Sequence, residues 1–277
     1  MRPKKSAKTT FTASAFLIIL AGALLSGCRA SQTEPGPAGD PEAQARRRGT
    51  EVVSEYLKRD ASPYRQMRVR LTVSSVTERA EVYELEVWRK QAAEETLTLT
   101  RIVQPAASRD LASLTTERSG EDAINVTYVA RLDQFRETGT NKSFFGGVTA
   151  QEFLGEWDKY DFRSLGEQDL NGTKGYKVEG KLKPRRDSII ARLTVLFRGD
   201  NYLPAEMHAF DSNGKELRTF RVTDYRNFAG RAMVGRMEIE NQVYKTNVLV
   251  EVLDVTFPGT LNEKIFTRER LKEIAQG

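Results

Sequence analysis

Hydrophobic and polar side chains alternate along most of the chain with the period of two that is typical of half-buried β-strands. Residues 67–73 and 83–87 show this alternation. Similar runs occur near residues 96–104, 123–131, 160–165, 175–183, 189–198, 205–211, 215–225, 231–241 and 246–257. Asn213-Gly214 between two of these runs is a strong signal for a two-residue hairpin. Regular strands that are separated by short turns predict an antiparallel meander, which forms a sandwich or a barrel.

The pattern becomes helical at both ends of this region. Residues 40–42 provide an N-cap Asp, a Pro at the first helical position and an acid in the first turn. An apolar stripe at helical spacing follows within residues 52–57, and Pro63 predicts the end of the helix at or before Ser62. Residues 267–275 predict a second, C-terminal helix.

An apolar insert interrupts the strand pattern in the middle of the chain, over residues 143–157. Thr149 and Glu152 match a capping box, so we expect a short helix over about 150–157. The insert would either close the open end of the sheet as a plug or cover an apolar groove as a lid, and the two roles are compatible. Its large apolar side chains are Phe144, Phe145, Phe153, Leu154 and Trp157.

The N-terminus has the features of an export signal. Residues 1–10 are basic and polar, and residues 11–25 are mostly apolar, as in a secretory signal peptide. This run is shorter than the roughly 20 residues that cross a bilayer. Residues 25–28, Leu-Ser-Gly-Cys, resemble a bacterial lipobox, and Cys28 is the only cysteine in the chain. We therefore predict that Cys28 is the site of lipid attachment.

The lipobox sets the expected domain organisation. We predict a lipoprotein signal peptide over 1–27, an acylated Cys28 with a flexible tether over 28–40, and one folded domain over 41–277. Two or more acyl chains anchor a protein stably, so the domain would be tethered to a membrane through Cys28. The predicted location is the bacterial cell envelope. Arg29, in the place where Asp favours inner-membrane retention, indicates the outer membrane facing the periplasm.

Composition excludes several classes of function. Basic residues exceed acidic ones by 43 to 38, but the first 27 residues contain four of the basic side chains and no acid. The remainder is nearly neutral and predicts no nucleic-acid partner. One Cys and one His leave no basis for a multi-Cys zinc site, and we expect no metal or cofactor. No G-x-S-x-G motif occurs, and His208 on a predicted strand has no evident nucleophile. We predict that the protein is not an enzyme.

The order of these features resembles the LolA/LolB-like family of outer-membrane lipoprotein-sorting proteins. The resemblance covers about half of the chain after Cys28 well, from Asn141 to the C-terminus. It implies a mainly β (α+β) fold, a strongly curved antiparallel sheet or half-barrel of about eleven strands. An N-terminal helix, a short mid-chain helical insert and a C-terminal helix would accompany the sheet. The segments that carry the resemblance are SFFG at 143–146, GYKVEG at 175–180, YLPAEM at 202–207, DSNGKEL at 211–217, RVTDY at 221–225, GRMEI at 235–239, VEVLDV at 250–255 and IFT at 265–267.

The resemblance further implies that the sheet binds acyl chains, such as palmitate, of lipoproteins or lipids in outer-membrane lipoprotein sorting or lipid transfer. A second hypothesis is a non-enzymatic periplasmic sensor or scaffold that contacts an envelope protein complex. Alternation identifies a buried face but leaves open whether that face meets protein or lipid. The candidate lipid-binding residues are Met67, Val69, Leu71, Leu85, Val87, Phe144, Phe145, Phe153, Leu154 and Trp157.

Overall fold

The chain forms one antiparallel sheet with a helix on each face. The computed structural model describes residues 40–75, 79–139, 147 and 156–276. Helix α1 spans Pro41–Asp60 and helix α2 spans Arg268–Gln276. The strands are β1 (Tyr64–Ser75), β2 (Glu81–Gln91), β3 (Glu95–Gln104), β4 (Leu111–Arg118), β5 (Ile124–Val129), β6 (Gln134–Gly139), β7 (Tyr160–Leu170), β8 (Thr173–Leu182), β9 (Arg192–Arg198), β10 (Pro204–Phe210), β11 (Glu216–Phe228), β12 (Arg231–Asn241) and β13 (Thr246–Thr256).

Two meanders meet at the centre of the sheet. The strand order is β6-β5-β4-β3-β2-β1-β13-β12-β11-β10-β9-β8-β7, so β1 pairs with β13 and the edges are β6 and β7. The predicted antiparallel meander is confirmed, and the described residues hold thirteen strands, two more than the expected number of about eleven. The alternation pattern missed β4 and β6. In β4, Leu111 and Leu114 are three residues apart, which breaks the period of two. Most of β6 is exposed, so it has few apolar side chains that could alternate with polar ones.

Helix α1 begins where the sequence predicts. The side chain of Asp40 accepts a hydrogen bond of 3.0 Å from the backbone N–H of Glu42 and so caps the first turn. Val52 and Val53 are buried against the sheet. Gly49 allows a close approach, because an added Cβ would lie 2.5 Å from the backbone carbon of Arg163 in β7. The apolar stripe therefore holds α1 directly against β7 and β8.

The two helices lie on opposite faces of the sheet. Ile102 in β3 belongs to the core that includes Val52 and Val53 of α1. Leu99, three positions earlier and therefore on the other side of the strand, packs in a second core with Leu271 of α2. We call the face that carries α1 the concave face and the face that carries α2 the convex face.

The sheet curves strongly around α1. Nζ of Lys159, immediately before the edge strand β7, lies 3.3 Å from Oδ1 of Asp122 in the loop between β4 and β5. β4 and β7 are ten positions apart in the strand order, a separation of about 48 Å in a flat sheet with a spacing of about 4.8 Å per strand. This contact requires the two arms of the sheet to bend toward each other, as in a half-barrel.

The predicted mid-chain helix over about 150–157 lies mainly outside the described residues. At its end, Trp157–Lys159 form a single 3-10 turn that leads into β7. The signal peptide, Cys28 and the tether to residue 39 also lie outside the described residues, so they remain predictions. Within the part of the chain that the structure describes, no helix combines the length and the apolar composition needed to cross a membrane.

Candidate functional site

A cavity of about 260 Å³ opens on the concave face, between the C-terminal end of α1 and strands β10 to β13. Its floor follows from strand alternation, since every second side chain of these strands points inward. Met207 pairs with Phe220 across β10 and β11, and Met237 pairs with Val250 across β12 and β13. The apolar residues that line it are Tyr56, Trp157, Leu203, Pro204, Met207, Phe220, Val222, Ala232, Met233, Val234, Met237, Val250 and Val252.

Two properties of the lining suit a flexible apolar ligand. Met207, Met233 and Met237 all contribute to it, and unbranched thioether side chains adapt to ligands of irregular shape. Aromatic rings form one wall: the ring centroids of Tyr56 and Trp157 are 5.3 Å apart in an edge-on arrangement. This wall joins the end of α1 to the turn before β7, so the cavity width depends on the position of both.

Three arginines also line the cavity, and they differ in exposure. Arg59, at the end of α1, is exposed, and Arg89 in β2 is half-buried. Arg65 in β1 is only 9% exposed and lies directly opposite Arg89 in the β1–β2 pair. Among the described residues around the cavity, Glu206 supplies the only carboxylate. The lining therefore combines an apolar floor with a formal charge of +2.

A buried polar cluster lies where the two arms of the sheet meet. The ammonium of Lys159 contacts Glu156 at 2.9 Å and Asp122 at 3.3 Å, and it donates a hydrogen bond of 2.9 Å to the carbonyl oxygen of Asp187. Burial raises the pKa of the nearby carboxyl group of Glu117 in β4 to about 7, although the charges of Arg89 and Lys159 oppose this rise. This cluster holds the arms together close to the arginines of the cavity.

The strand candidates share the concave face with the cavity but do not line it. Val69, Leu71 and Leu85 are buried in the core beneath α1, and Met67 and Val87 pack against that core. Trp157 lines the cavity. The remaining candidate residues lie outside the described residues: these are Cys28, Phe144, Phe145, Phe153 and Leu154.

Neither the arginines nor the floor provided by β10 to β13 was predicted from the sequence. A signal for the arginines was present, because alternation places Arg65 on the face of Met67 and Arg89 on the face of Val87. Charged side chains at the start and end of a strand are usually exposed to solvent, so the position of these arginines does not by itself predict a site. Prediction of the floor would have required the pairing of β1 with β13, which the linear sequence does not reveal.

His208 lies on the other face of β10 from Met207. Its Nδ1 is 2.5 Å from the carboxylate of Glu216 and its Nε2 is 3.2 Å from that of Glu206. The ring stacks on Phe210 with centroids 6.4 Å apart, so His208 and Phe210 share this face of the strand. Across the described ranges, no group of three or more His, Cys, Asp or Glu residues is arranged to hold a metal ion.

A family model described as "Uncharacterized protein" matches residues 94–273, which is more than half of the chain. The chain belongs to this family. A comparison with curated proteins finds no match.

Solved structures show which fold this family member has. A DUF1329 family protein from Desulfovibrio piger is 16% identical with a TM-score of 0.76, over 82% of this chain and 99% of that one. A domain from Vibrio parahaemolyticus assigned to outer membrane lipoprotein sorting is 19% identical with a TM-score of 0.75 and the same coverages. A LolA superfamily protein from Nitrosomonas europaea is 16% identical with a TM-score of 0.64, over 80% of this chain and 98% of that one. The resemblance to LolA/LolB-like proteins is thereby confirmed in the fold.

Proposed function

We propose that this family member binds the acyl chains of lipoproteins or lipids on its concave face, without catalysing a reaction. The observation that carries the proposal is the cavity of about 260 Å³ with a floor of methionine, valine and phenylalanine side chains. Its volume is close to the lower end of the roughly 300–1,000 Å³ that is usual for small-molecule sites. In this proposal an acyl chain enters the cavity and lies on its methionine floor.

The energetics favour such a ligand. Each methylene that leaves water contributes about 0.8 kcal/mol, so an apolar cavity that holds about ten methylenes would gain about 8 kcal/mol. The methionines and the wall of Tyr56 and Trp157 could fill part of the space before a lipid enters. Exchange of one set of apolar contacts for another keeps the net affinity moderate, and moderate affinity is what transfer between partners requires.

The setting that we propose is the cell envelope. The lipobox at residues 25–28 would anchor the domain through Cys28, and Arg29 favours the outer membrane facing the periplasm. The fold shared with a domain assigned to lipoprotein sorting supports this setting. In this proposal the protein accepts or passes on acylated cargo in outer-membrane lipoprotein sorting or lipid transfer.

Photocrosslinking tests the proposal. The full chain, reconstituted in lipid nanodiscs, would be exposed to a lipopeptide whose palmitoyl chain carries a diazirine, and the labelled peptides would be mapped by mass spectrometry. We expect labels on peptides from β10 to β13. Met237→Trp should fill the cavity and reduce labelling there by about tenfold, since the larger ring overpacks the floor.

A matched variant separates filling from a general effect of tryptophan. Val82→Trp adds the same ring to a residue of β2 that is 47% exposed, and labelling should stay at the level of the unmodified chain. Absence of labels from β10 to β13, or equal labelling in both variants, would refute acyl-chain binding in this cavity. The alternative hypothesis, a non-enzymatic sensor or scaffold, would then be favoured. Its protein partners would be sought by crosslinking in the membrane.

A further inference from the structure

Three neighbouring hairpins turn at the same end of the sheet. They connect β8 to β9, β10 to β11 and β12 to β13, through residues 183–191, 211–215 and 242–245. The six strands that they connect are consecutive in the sheet. Because adjacent strands lie about 4.8 Å apart, the three turns form a row about 20 Å long. We call this row the tip surface.

The tip surface exposes large apolar side chains to solvent. Tyr244 is 56% exposed, Val243 49% and Ile189 40%. The turns at the opposite end of the meander from β7 to β12 contain no exposed large apolar side chain among the described residues. The exposed apolar area is therefore a property of one end of these strands.

Basic side chains near the turns at that opposite end are neutralised by neighbouring acids. The guanidinium of Arg198 lies 2.9 Å from the carboxylate of Asp200, beside the turn between β9 and β10. The guanidinium of Arg226 lies 2.8 Å from the carboxylate of Asp224, near the turn between β11 and β12. These pairs leave little net charge at that end.

The tip surface carries a positive charge that is not neutralised in this way. Its turns contain five basic and two acidic side chains. Arg185, Lys215 and Lys245 are exposed, and none of them forms an ion pair with an acid in the described part of the chain. Asp211, the acid closest to Lys215 in sequence, accepts hydrogen bonds from the backbone N–H groups of Asn213 and Lys215 and so stabilises the turn.

This combination of side chains fits a lipid surface better than a protein partner. Interfaces between proteins are depleted in lysine. At a bilayer, Lys and Arg stay hydrated and attract anionic headgroups. Tyrosine is enriched at the same depth, because its ring is apolar and its hydroxyl is polar. Tyr244 and Lys245 supply both kinds of contact within one turn.

We propose that the tip surface docks on an anionic lipid bilayer, with Tyr244 and Val243 at the level of the headgroups and Arg185, Lys215 and Lys245 against the lipid phosphates. This contact goes beyond the proposed binding of acyl chains, since none of these residues lines the cavity.

Docking through the tip surface also orients the cavity. Pro204 at the start of β10 and Met233 near the start of β12 line the cavity, and both strands run from there to the tip surface. Met233 and Asn241 are eight residues apart along β12, which is about 27 Å in an extended strand. This end of the cavity therefore faces away from the docked bilayer, toward cargo that arrives through the aqueous phase.

Site-directed spin labelling tests the docking. The full chain with Val243→Cys would carry a nitroxide and would be reconstituted in nanodiscs of phosphatidylcholine, with or without anionic phosphatidylglycerol. The measured quantity is the accessibility of the nitroxide to oxygen, which partitions into lipid, relative to a water-soluble nickel complex. We expect this ratio to be several-fold higher in the anionic nanodiscs. The unmodified chain measures any label at Cys28.

Reversal of charge tests the role of the basic side chains. Each basic side chain near an anionic surface strengthens association by about fivefold. The double substitution Lys215→Glu and Lys245→Glu should therefore return the ratio to its value in neutral nanodiscs. Arg231→Glu is the matched control, since Arg231 is exposed in β12 beside the turn at the opposite end and should leave the ratio unchanged.

A second label position tests the orientation. Ala229→Cys places the nitroxide at the exposed turn between β11 and β12, at the opposite end of β12 from Val243. This label should remain accessible to the nickel complex in both kinds of nanodisc. A circular dichroism spectrum of each variant verifies that it is folded.

Three results would overturn the docking. The first is an equal ratio for the Val243 label in anionic and neutral nanodiscs, and the second is an equal ratio for the labels at Val243 and Ala229. The third is a ratio that the double charge reversal does not lower. Photolabelling of the cavity is a separate measurement, so acyl-chain binding and docking can each fail while the other holds.

Discussion

Lys159 and Asp122 form an ion pair, with Nζ 3.3 Å from Oδ1, that connects the edge strand β7 to the loop between β4 and β5 near the opposite edge. The side chain of Lys159 is 3% exposed and also contacts Glu156, which is 2% exposed, at 2.9 Å. The cluster therefore stabilises the curved form of the sheet as well as the local turn. The cavity depends on this curvature, since its arginines and its floor come from different arms.

Loss of the Lys159 ammonium should destabilise the fold. Lys159→Met would leave the carboxylate of Glu156 buried without this counter-charge, and removal of one partner from a buried ion pair costs about 3–5 kcal/mol. Urea unfolding followed by circular dichroism would measure the change. Lys181→Met is the control, because the Lys181 ammonium is 62% exposed and 3.9 Å from Glu179, which keeps a closer partner in Arg163 at 2.6 Å. Its loss should cost at most about 1 kcal/mol.

A double-mutant cycle isolates the contact between the arms. If Lys159 and Asp122 hold the arms together, Asp122→Asn should cost less in the Lys159→Met background than in the unmodified chain. Contacting charges show interaction energies of about 0.5–3 kcal/mol. Additive effects of the two substitutions would mean that the pair does not stabilise the curvature, and that Lys159 acts only through Glu156 and Asp187.

Gly49→Ala should loosen α1 from the sheet. The new methyl group would lie 2.5–2.7 Å from backbone atoms of Arg163, which cannot rotate away. Overpacking of this kind costs about 1–3 kcal/mol, against a gain of up to about 1 kcal/mol from the higher helix propensity of alanine. We expect a lower midpoint of thermal unfolding.

Gly259→Ala provides the comparison for Gly49→Ala. Nothing lies within 4 Å of a Cβ at Gly259, so its midpoint should stay unchanged or rise slightly. A Gly49→Ala variant as stable as the unmodified chain would show that α1 can shift on β7 without loss of packing.

Local signals were enough to predict the helix starts and eleven of the strands. The cap at Asp40 and the alternation around Met67 act within a few residues, and the structure confirms both. Two strands were missed for a physical reason. The edge strand β6 buries little, and β4 has Thr115 and Leu114 buried on opposite faces, so neither shows clean alternation.

The site was less predictable than the fold because it depends on contacts distant in sequence. Leu71 and Leu85 were predicted to face inward and do so, but the side chains of α1 and the other strands pack against them. Met237 packs against the edge of the same core and also borders the cavity, next to Tyr56 and Arg59 near the end of α1. Alternation reports which way a side chain points, whereas only the position of α1 decides which inward side chains remain accessible.

The carboxyl group of Glu117 should make stability fall as pH rises. Burial raises its pKa from 4.5 to about 7, so between these values the folded chain binds a proton that the unfolded chain has released. The contribution of the neutral form is complete below about pH 4.5 and is lost as pH rises through about 7. Glu117→Gln should therefore exceed the unmodified chain in stability at pH 8 by about 3 kcal/mol, since each pKa unit between 4.5 and about 7 corresponds to about 1.4 kcal/mol.

The same variant at low pH is the control for this prediction. Near pH 4.5 the amide replaces a neutral carboxyl group of similar shape, so the two proteins should unfold at nearly equal urea concentrations. A stability difference that is constant from pH 4.5 to pH 8 would contradict the buried, proton-binding state of Glu117. It would instead indicate that the carboxylate is compensated by Arg89 and Lys159 at every pH.

The two tryptophans of the chain allow a test of the aromatic wall. Trp157 lines the cavity and lies 5.3 Å from Tyr56 and 6.1 Å from Phe197, between ring centroids. Trp88 packs against the core beneath α2, on the other face of the sheet. Replacement of either by Ala should cost about 2–4 kcal/mol, somewhat below the range for fully buried aromatic residues.

Only the change at Trp157 should affect lipid exchange. Trp157→Ala removes one side of the cavity, so a bound fatty acid should dissociate several-fold faster. The dissociation rate would be measured by the transfer of a fluorescent fatty acid from the full chain to acceptor vesicles. Trp88→Ala should lose comparable stability with the exchange rate unchanged, because its ring does not reach the cavity. Equal exchange rates in the two variants would show that Trp157 does not act as part of a lid over the cavity. Its role would then be restricted to packing beneath α1.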